Sequence, residues 1–474
     1  MLVQLTIENF LSFREETIFS LVGVSSDQRH ADHFAVDAAG KGRSLLPISA
    51  IYGANAAGKS NLIKAINFAK DLIVEGTRSG QIIPISPFKL GDSHKKPSKF
   101  EFIFTYQDNL YSYGFKLNST QILEEWLYVT PAGKKREVTY FERITSENKE
   151  TKIDFGASLK GRSNKNKQFL EFVEQGTRHN QLFLTEAVDR NVQLVNPVFD
   201  WFKKALTIIS AESTHQGLEL RMLNSKEFTD FLSNFLKFAG TGIDSIGTTE
   251  VELDFDRYLP DIPEKHREEI IQNLSESGEN SAVMIENSLG KRYLLIKNDQ
   301  NQLNLIQIRT QHRHESGHLV DFTIEEESEG TQRLINLIPA LFLLKENSEK
   351  VIFLDELDRR LHPLLSRQFV EGALKCKSQN NMSQLIFTTH DTNLLDLELL
   401  RRDEIWFVEK NKQGVSHIYS LAEFKIRPDL EIEKGYLNGR FGAIPFFGDI
   451  RSLGWLDCED DVTKKNNIDN GKNQ

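Results

Sequence analysis

The octapeptide Gly53-Ala54-Asn55-Ala56-Ala57-Gly58-Lys59-Ser60 satisfies the pattern G-x-x-x-x-G-K-[ST] in full. It follows a mostly apolar run over 45–52 and precedes a stretch in which Leu62, Ile66, Ala69 and Ile73 recur at helical spacing. Strand, glycine-rich loop and helix is the context this pattern requires, so an α/β chain with a mostly parallel sheet flanked by helices is expected. The residue types dictate the chemistry. Glycines let backbone N–H groups close around phosphate oxygens, and the following helix adds the positive end of its dipole. Lys59 is expected to neutralise β/γ oxygens and Ser60 to ligate Mg²⁺. Gly53, Asn55, Ala57, Gly58, Lys59, Ser60 and Asn61 are therefore the expected nucleotide-binding residues.

A second site lies far downstream. In Val351-Ile-Phe-Leu-Asp355-Glu356, four buried-type residues end in two acids, which places both carboxylates at the C-terminal end of a parallel strand, where α/β ligand sites lie. Asp355 is expected to hold Mg²⁺, directly or through water, and Glu356 to polarise an attacking water as general base. Each motif alone has a plainer reading, a chance Gly-Lys-Ser turn or an acidic N-cap. Together they point to nucleoside triphosphate hydrolysis.

The 474 residues suggest about three structural units, or one large core with insertions. We expect an N-terminal lobe over 1–168 that includes an antiparallel β subdomain across 82–145, and a helical insertion over 169–285. A C-terminal lobe over 286–455 and a fraying tail over 456–474 would follow. Net charge is −10, so nucleic acid could be held only by local patches such as His94-Lys95-Lys96, Lys134-Lys135-Arg136 or Lys160 to Lys167, which read more simply as solvated loops. Cys376 and Cys458 make no disulfide framework or metal motif. No run of 18 apolar residues and no secretory start is visible, so a cytoplasmic protein without a membrane partner is expected.

Between the two sites, Glu327-Ser328-Glu329-Gly330-Thr331-Gln332-Arg333 precedes a helix carrying Leu334, Leu337, Ile338, Leu341 and Phe342 on its apolar face. This resembles the signature motif of ABC-type ATPases. Leu357-Asp358 resembles the D-loop, and Gln384-Leu-Ile-Phe-Thr-Thr-His390 the strand that delivers the switch histidine. The order of motifs is similar to that of the RecF/SMC-like branch. The resemblance implies an ABC-type P-loop NTPase core with an antiparallel β subdomain and an inserted helical arm. It also implies that Ser328, Gly330, Thr331 and Gln332 meet ATP bound by a second subunit, that Asp358 couples the two sites, and that His390 is catalytic with Glu356, contacting the γ-phosphate and the attacking water in cis.

More closely, Glu8-Asn9-Phe10-Leu11-Ser12-Phe13, Leu361-His362-Pro363 and Gly439-Arg-Phe-Gly-Ala-Ile-Pro445 resemble OLD-like ATPases of the AAA-15/AAA-21 group. That group includes RloA/AbiLi-type abortive-infection ATPases and the PARIS and Septu ATPases. The resemblance implies a regulatory ATPase of an anti-phage system, a homodimer through an ATP sandwich with assembly beyond the dimer, and a separate nuclease-like effector. Only 84 residues follow His390, too few for an OLD-type nuclease domain. The second reading is a RecF/SMC-like ATPase that clamps or repairs DNA. Gln81 and Gln107 are the candidates for the Q-loop glutamine. His312, His314 and His318 read as a polar hairpin more readily than as a metal cluster. The aromatics of 196–238 are expected to pack within their own domain, with a subunit interface as the alternative.

Overall fold

The computed structural model describes residues 1–445 apart from 26, 28, 37–41, 212–216, 277–281, 287–291, 298–301, 347–348, 377–381 and 427–430. At its centre six strands run in the order Leu206–Ile209, Val351–Leu354, Gln384–Thr388, Ile48–Tyr52, Ile405–Lys410, Ser416–Ser420. The first five are parallel and the last is antiparallel. Every residue of Val351–Leu354, Gln384–Thr388 and Ile48–Tyr52 is buried, because helices or a second sheet cover both faces. That explains their mostly apolar text. Ser49, Gln384 and Thr388 are the polar exceptions, and the Gln384 amide is bonded at both ends: Oε1 accepts from the Leu2 N–H at 2.6 Å, and Nε2 donates to the Leu2 and Leu46 carbonyls at 3.0 and 2.9 Å. It sews the N-terminal strand to the core.

On one face the Lys59–Val74 helix buries Leu62, Ile66, Ala69 and Ile73 against a core shared with a seven-stranded antiparallel sheet. That sheet runs in the order Thr151–Phe155, Val138–Thr145, Ile122–Thr130, Asn109–Leu117, Ser98–Tyr106, Leu2–Glu8, Thr17–Ser20. Its alternating Phe100, Phe102 and Phe104 point inward, and Phe104 stacks on Trp201 at 4.0 Å. On the other face Leu337 and Leu341 of the Glu329–Lys345 helix, with Phe369 and Val370 of Pro363–Lys375, cover Ile352, Leu354 and Phe387.

The region 169–285 does not form the single helical arm expected. Its first part, with Leu170, Val173, Phe183, Trp201 and Phe202, fills the core beneath the antiparallel sheet. Leu206–Ile209 then enters the central sheet beside Val351–Leu354. Helices Leu218–Asn224 and Lys226–Phe238 pack on Glu329–Lys345, with Phe228 edge-on to Phe342 at 5.1 Å. Strands Ile243–Glu252 and Ala282–Glu286 belong to a further antiparallel sheet with Arg292–Lys297, Leu303–Arg313 and Leu319–Thr323, so that sheet crosses the expected boundary at 285. A four-residue apolar run such as Leu-Thr-Ile-Ile has no period that separates strand from helix, and its sheet partner lies far away in sequence. Of the aromatics in this region, Phe199, Trp201, Phe202 and Phe228 are buried in the chain's own cores, whereas Phe238 is 64% exposed. Among the described residues no helix is long and apolar enough to cross a membrane. Cys458 and the tail 456–474 lie outside the described residues.

Candidate nucleotide site

The phosphate loop leaves the central strand at Gly53 and turns into the helix at Gly58, whose φ of 125° is a conformation that residues with a Cβ rarely adopt. A Cβ there would lie 2.4 Å from Ser416 Oγ. The loop is buttressed from outside the motif. The Ser416 hydroxyl donates to the Ala57 carbonyl, its N–H donates to the Ser12 carbonyl at 2.8 Å, and Asn61 Nδ2 donates to Ser12 Oγ at 2.8 Å. Asn55 at the crown of the loop is exposed.

Lys59 is 6% exposed and turns back into the loop. Its ammonium donates to the Gly53 and Ala54 carbonyls at 2.8 and 3.3 Å and to Nε2 of His390 at 2.9 Å. Burial pushes the Lys59 pKa down to about 8, against the pull of Asp355, Asp358 and Glu356. The His390 imidazole is also held below its usual range, by burial first and the neighbouring Lys59 charge second. Both effects favour a neutral ring that accepts from the ammonium.

The acid pair follows the Val351–Leu354 strand, and Asp355 is locked by backbone and side chain. Its N–H donates to Ile209 O at 2.9 Å, and its Oδ1 accepts from Thr388 Oγ1 at 2.6 Å and from Ser60 Oγ at 3.4 Å. Thr388 Oγ1 in turn accepts from the Glu356 N–H at 2.8 Å. One threonine hydroxyl thus fixes both acids. Glu356 sits at φ 50°, which turns its side chain out of strand direction, and Arg359 lies 3.6 Å from its carboxylate. Asp358 Oδ1 accepts from Thr389 Oγ1 at 2.7 Å and from the His390 N–H at 3.1 Å. The structure therefore brings Lys59, Ser60, Asp355, Glu356, Asp358 and His390 to the C-terminal edge of three neighbouring parallel strands.

Ser60 and Asp355 offer two hard oxygens 3.4 Å apart, close to the roughly 3 Å between adjacent ligands of an octahedral ion with bonds of about 2.1 Å. This donor set fits Mg²⁺, which keeps its other positions for water and phosphate oxygens.

The signature residues stand apart from the loop. Ser328 caps the Glu329–Lys345 helix by accepting from the Thr331 N–H at 3.2 Å, and Gln332 Nε2 donates to the Glu327 carbonyl at 2.9 Å. A Cβ on Gly330 would lie 2.9 Å from the Arg360 carbonyl, so this helix end is pressed onto the turn that follows Asp358. Among the described residues no hydrogen bond joins Ser328, Gly330, Thr331 or Gln332 to residues 53–61. Arg333, one turn on, was not singled out from the sequence. It is buried, and its Nη2 donates to the Asp355 and Glu356 carbonyls, both at 3.1 Å. Its position directly after the signature was the only signal.

Neither Q-loop candidate reaches this cluster. Gln81 accepts from the Arg78 N–H in an exposed turn, and Gln107 lies in the exposed turn after Ser98–Tyr106. His312 bonds Glu327 at 2.7 Å, while His314 and His318 stack at 4.4 Å with the Ser316 hydroxyl between them.

Residues 48–396 match the family described as "AAA domain, putative AbiEii toxin, Type IV TA system", AAA_21. The chain belongs to the AAA_21 family. With the sheet order and motif placement above, this AAA_21 chain is an ATPase of the ABC type. Among solved structures it is similar to the SMC head domain from Thermotoga maritima, at 14% identity over 90% of this chain and 99% of that one, with a TM-score of 0.34. It is also similar to an SmcHead bound to the C-winged helix domain of ScpA, at 15% identity, 88% and 97% coverage and a TM-score of 0.35. An Smc head with an extended coiled coil, bound to the C-terminal domain of ScpA derived from Pyrococcus furiosus, gives 15%, 93%, 98% and 0.33. No curated protein matches the AAA_21 chain.

Proposed function

We propose that this AAA_21 ATPase hydrolyses ATP with Mg²⁺, and that its ATP-bound homodimer is the sensing subunit of a cytoplasmic anti-phage system that controls a separate, nuclease-like effector. One observation carries the hydrolytic reading: residues from position 59 to position 390 converge on one sheet edge with the donors and acceptors that phosphoryl transfer uses. The family description, a putative AbiEii toxin of a Type IV TA system, supports the defence setting.

In this reading Lys59 and the loop N–H groups cradle the β/γ-phosphates. Ser60 and Asp355 would hold Mg²⁺, which would supply charge neutralisation at the phosphate oxygens. The Glu356 carboxylate takes a proton from the attacking water as its oxygen bonds to γ-phosphorus and the bond to the bridging oxygen breaks. His390 moves from Lys59 to the γ-phosphate. Ser328 and Gly330, at the positive end of a 17-residue helix and not bonded to their own loop, contact the γ-phosphate of a second copy, with Thr331 and Gln332 shaping that contact and Asp358 coupling the two sites.

The test compares phosphate release by wild type and Glu356→Gln. A loss of at least about 10²-fold with ATP binding retained is expected, together with an ATP-dependent dimer trapped by the substitution. An unchanged rate sinks the assignment of the base. Phage plating on cells carrying this gene with its neighbouring genes should show protection that Lys59→Ala abolishes. Salt-dependent DNA binding that ATP strengthens would replace the sensor reading with the DNA-clamping one.

A further inference from the structure

We propose that Tyr52 and Asp391 are positioning residues for His390, joined by a hydrogen bond that closes when His390 moves to the γ-phosphate. The pair serves the nucleotide site and therefore rests on the reading above. Tyr52 is the last residue of the strand that feeds the phosphate loop, and Asp391 directly follows the histidine. The two stretches of chain run side by side here. Thr388 is in register with Ile51, and the Thr389 N–H donates to the Ile51 carbonyl at 3.1 Å.

Each residue carries a buried polar atom with nothing to bond. Tyr52 is fully buried, with its ring 6.2 Å from that of Phe407 and 6.1 Å from that of Tyr436, and among the described residues its hydroxyl has no hydrogen-bond partner. Asp391 is 9% exposed. Its Oδ1 accepts from the Asn393 N–H at 3.0 Å and from Asn393 Nδ2 at 2.7 Å, whereas its Oδ2 has no partner among the described residues. Burial first and the Asp391 charge second hold the Tyr52 hydroxyl well above its usual pKa range, so Asp391 is the carboxylate it feels most strongly. The hydroxyl therefore keeps its proton and can donate it. Asp358 and Glu433, the other carboxylates that act on Tyr52, already accept from the hydroxyls of Thr389 and Thr392. Native interiors leave few polar groups orphaned, because each costs free energy. A donor and an acceptor orphaned side by side mark a bond that a second conformation makes.

The turn between them can supply that conformation. Thr389 Oγ1 donates to Asp358 Oδ1 at 2.7 Å, the His390 N–H donates to the same oxygen at 3.1 Å, and the Asp391 N–H donates back to Thr389 Oγ1 at 3.0 Å. These contacts anchor the turn on the Asp358 side alone. In this form the His390 ring accepts from Lys59. When phosphate oxygens take over the ammonium, the ring would leave it, and backbone rotation at 390–391 would carry Oδ2 onto the Tyr52 hydroxyl. A charged acceptor makes that bond stronger than a neutral one. It would fix the histidine in its γ-phosphate position and tie that position to the strand beneath the phosphate loop.

Affinities of the full chain for a non-hydrolysable ATP analogue and for ADP, both with Mg²⁺, are measured for wild type, Tyr52→Phe, Asp391→Ser and the double variant. Tyr52→Phe should weaken the analogue at least about tenfold and ADP by no more than about threefold, since only the analogue carries the γ-phosphate. The urea midpoint of nucleotide-free Tyr52→Phe should equal or exceed that of wild type, because the lost hydroxyl gives up no bond. Asp391→Ser, which keeps a capping oxygen, should discriminate against the analogue in the same way. The double variant should lose no more than about twofold beyond either single one. Equal losses for analogue and ADP, losses that multiply in the double variant, or a lower midpoint for Tyr52→Phe overturn the pair and leave the nucleotide site standing. A wild type that binds neither nucleotide overturns the site itself, and the pair with it.

Discussion

The ammonium of Lys59 stands 2.9 Å from Nε2 of His390, although 331 positions separate them in the chain. With the Gly53 and Ala54 carbonyls, His390 completes three acceptors for the three N–H donors of the lysine. In the proposed reading the phosphate oxygens would displace existing partners of the ammonium, and the arrival of nucleotide would release the histidine in the same event.

The Lys59–His390 contact sets a pH dependence. Burial lowers the lysine to about 8 in this form, while phosphate oxygens favour the charged ammonium and raise its pKa in the complex. ATP affinity should be flat well below pH 8 and weaken by up to about tenfold per pH unit above it. Equilibrium binding from pH 7 to 9.5 at fixed ionic strength checks this. Lys59→Arg should flatten the profile, since a guanidinium stays charged throughout. A flat wild-type profile would exclude Lys59 as the titrating group.

Thr388 should matter through its hydroxyl alone. Thr388→Val keeps the shape but leaves the Glu356 N–H without its acceptor and takes the shorter of two hydroxyl donors from Asp355 Oδ1. Stability should fall by about 1–3 kcal/mol, read from urea unfolding. Thr388→Ser should stay close to wild type in both stability and turnover.

Gly58→Ala should weaken ATP binding at least about tenfold, the equivalent of roughly 1.4 kcal/mol. The new methyl would meet Ser416 Oγ at 2.4 Å and Ser416 Cβ at 2.9 Å, at a φ of 125°. Adding Ser416→Gly removes the two shortest contacts, but not the one with Ser12 Oγ at 3.0 Å or the dihedral strain, and it gives up the hydroxyl bond to the Ala57 carbonyl, so calorimetry should show at most partial recovery.

Arg333 should act on turnover more than on binding. Its Nη2 donates to the carbonyls of both acids while Nη1 reaches the Ser210 carbonyl at 3.4 Å, and a lysine, with one nitrogen on a shorter stem, cannot make all three contacts. Arg333→Lys is expected to lower kcat by about ten- to a hundredfold, the range of a lost charged hydrogen bond, with ATP affinity within about threefold. Equal losses in both quantities would make Arg333 a general stability residue instead.

What could be read from the sequence was whatever the local chain spells out. The run Val351-Ile-Phe-Leu and the loop at 53–60 announce themselves because burial on both faces and phosphate binding each demand particular residues in consecutive places. Ser12, Ser416 and Arg333 do not, since a serine or arginine carries no local mark of the distant carbonyl that it will meet. The same limit hid Leu206–Ile209. Its neighbour in the sheet lies at 351–354, and nothing between them in sequence betrays the pairing.

The strand Leu206–Ile209 carries a further implication. Because the Ile209 carbonyl receives the Asp355 N–H, the stretch that looks like an accessory to the ATPase supplies the outer rail along which the acids are aligned. It cannot be trimmed away as a detachable module. A shortened protein lacking residues 200–285 would bare the backbone of Val351–Leu354 to solvent or to a stray chain, and a silent enzyme obtained that way would report a torn sheet edge, not a missing partner-binding element.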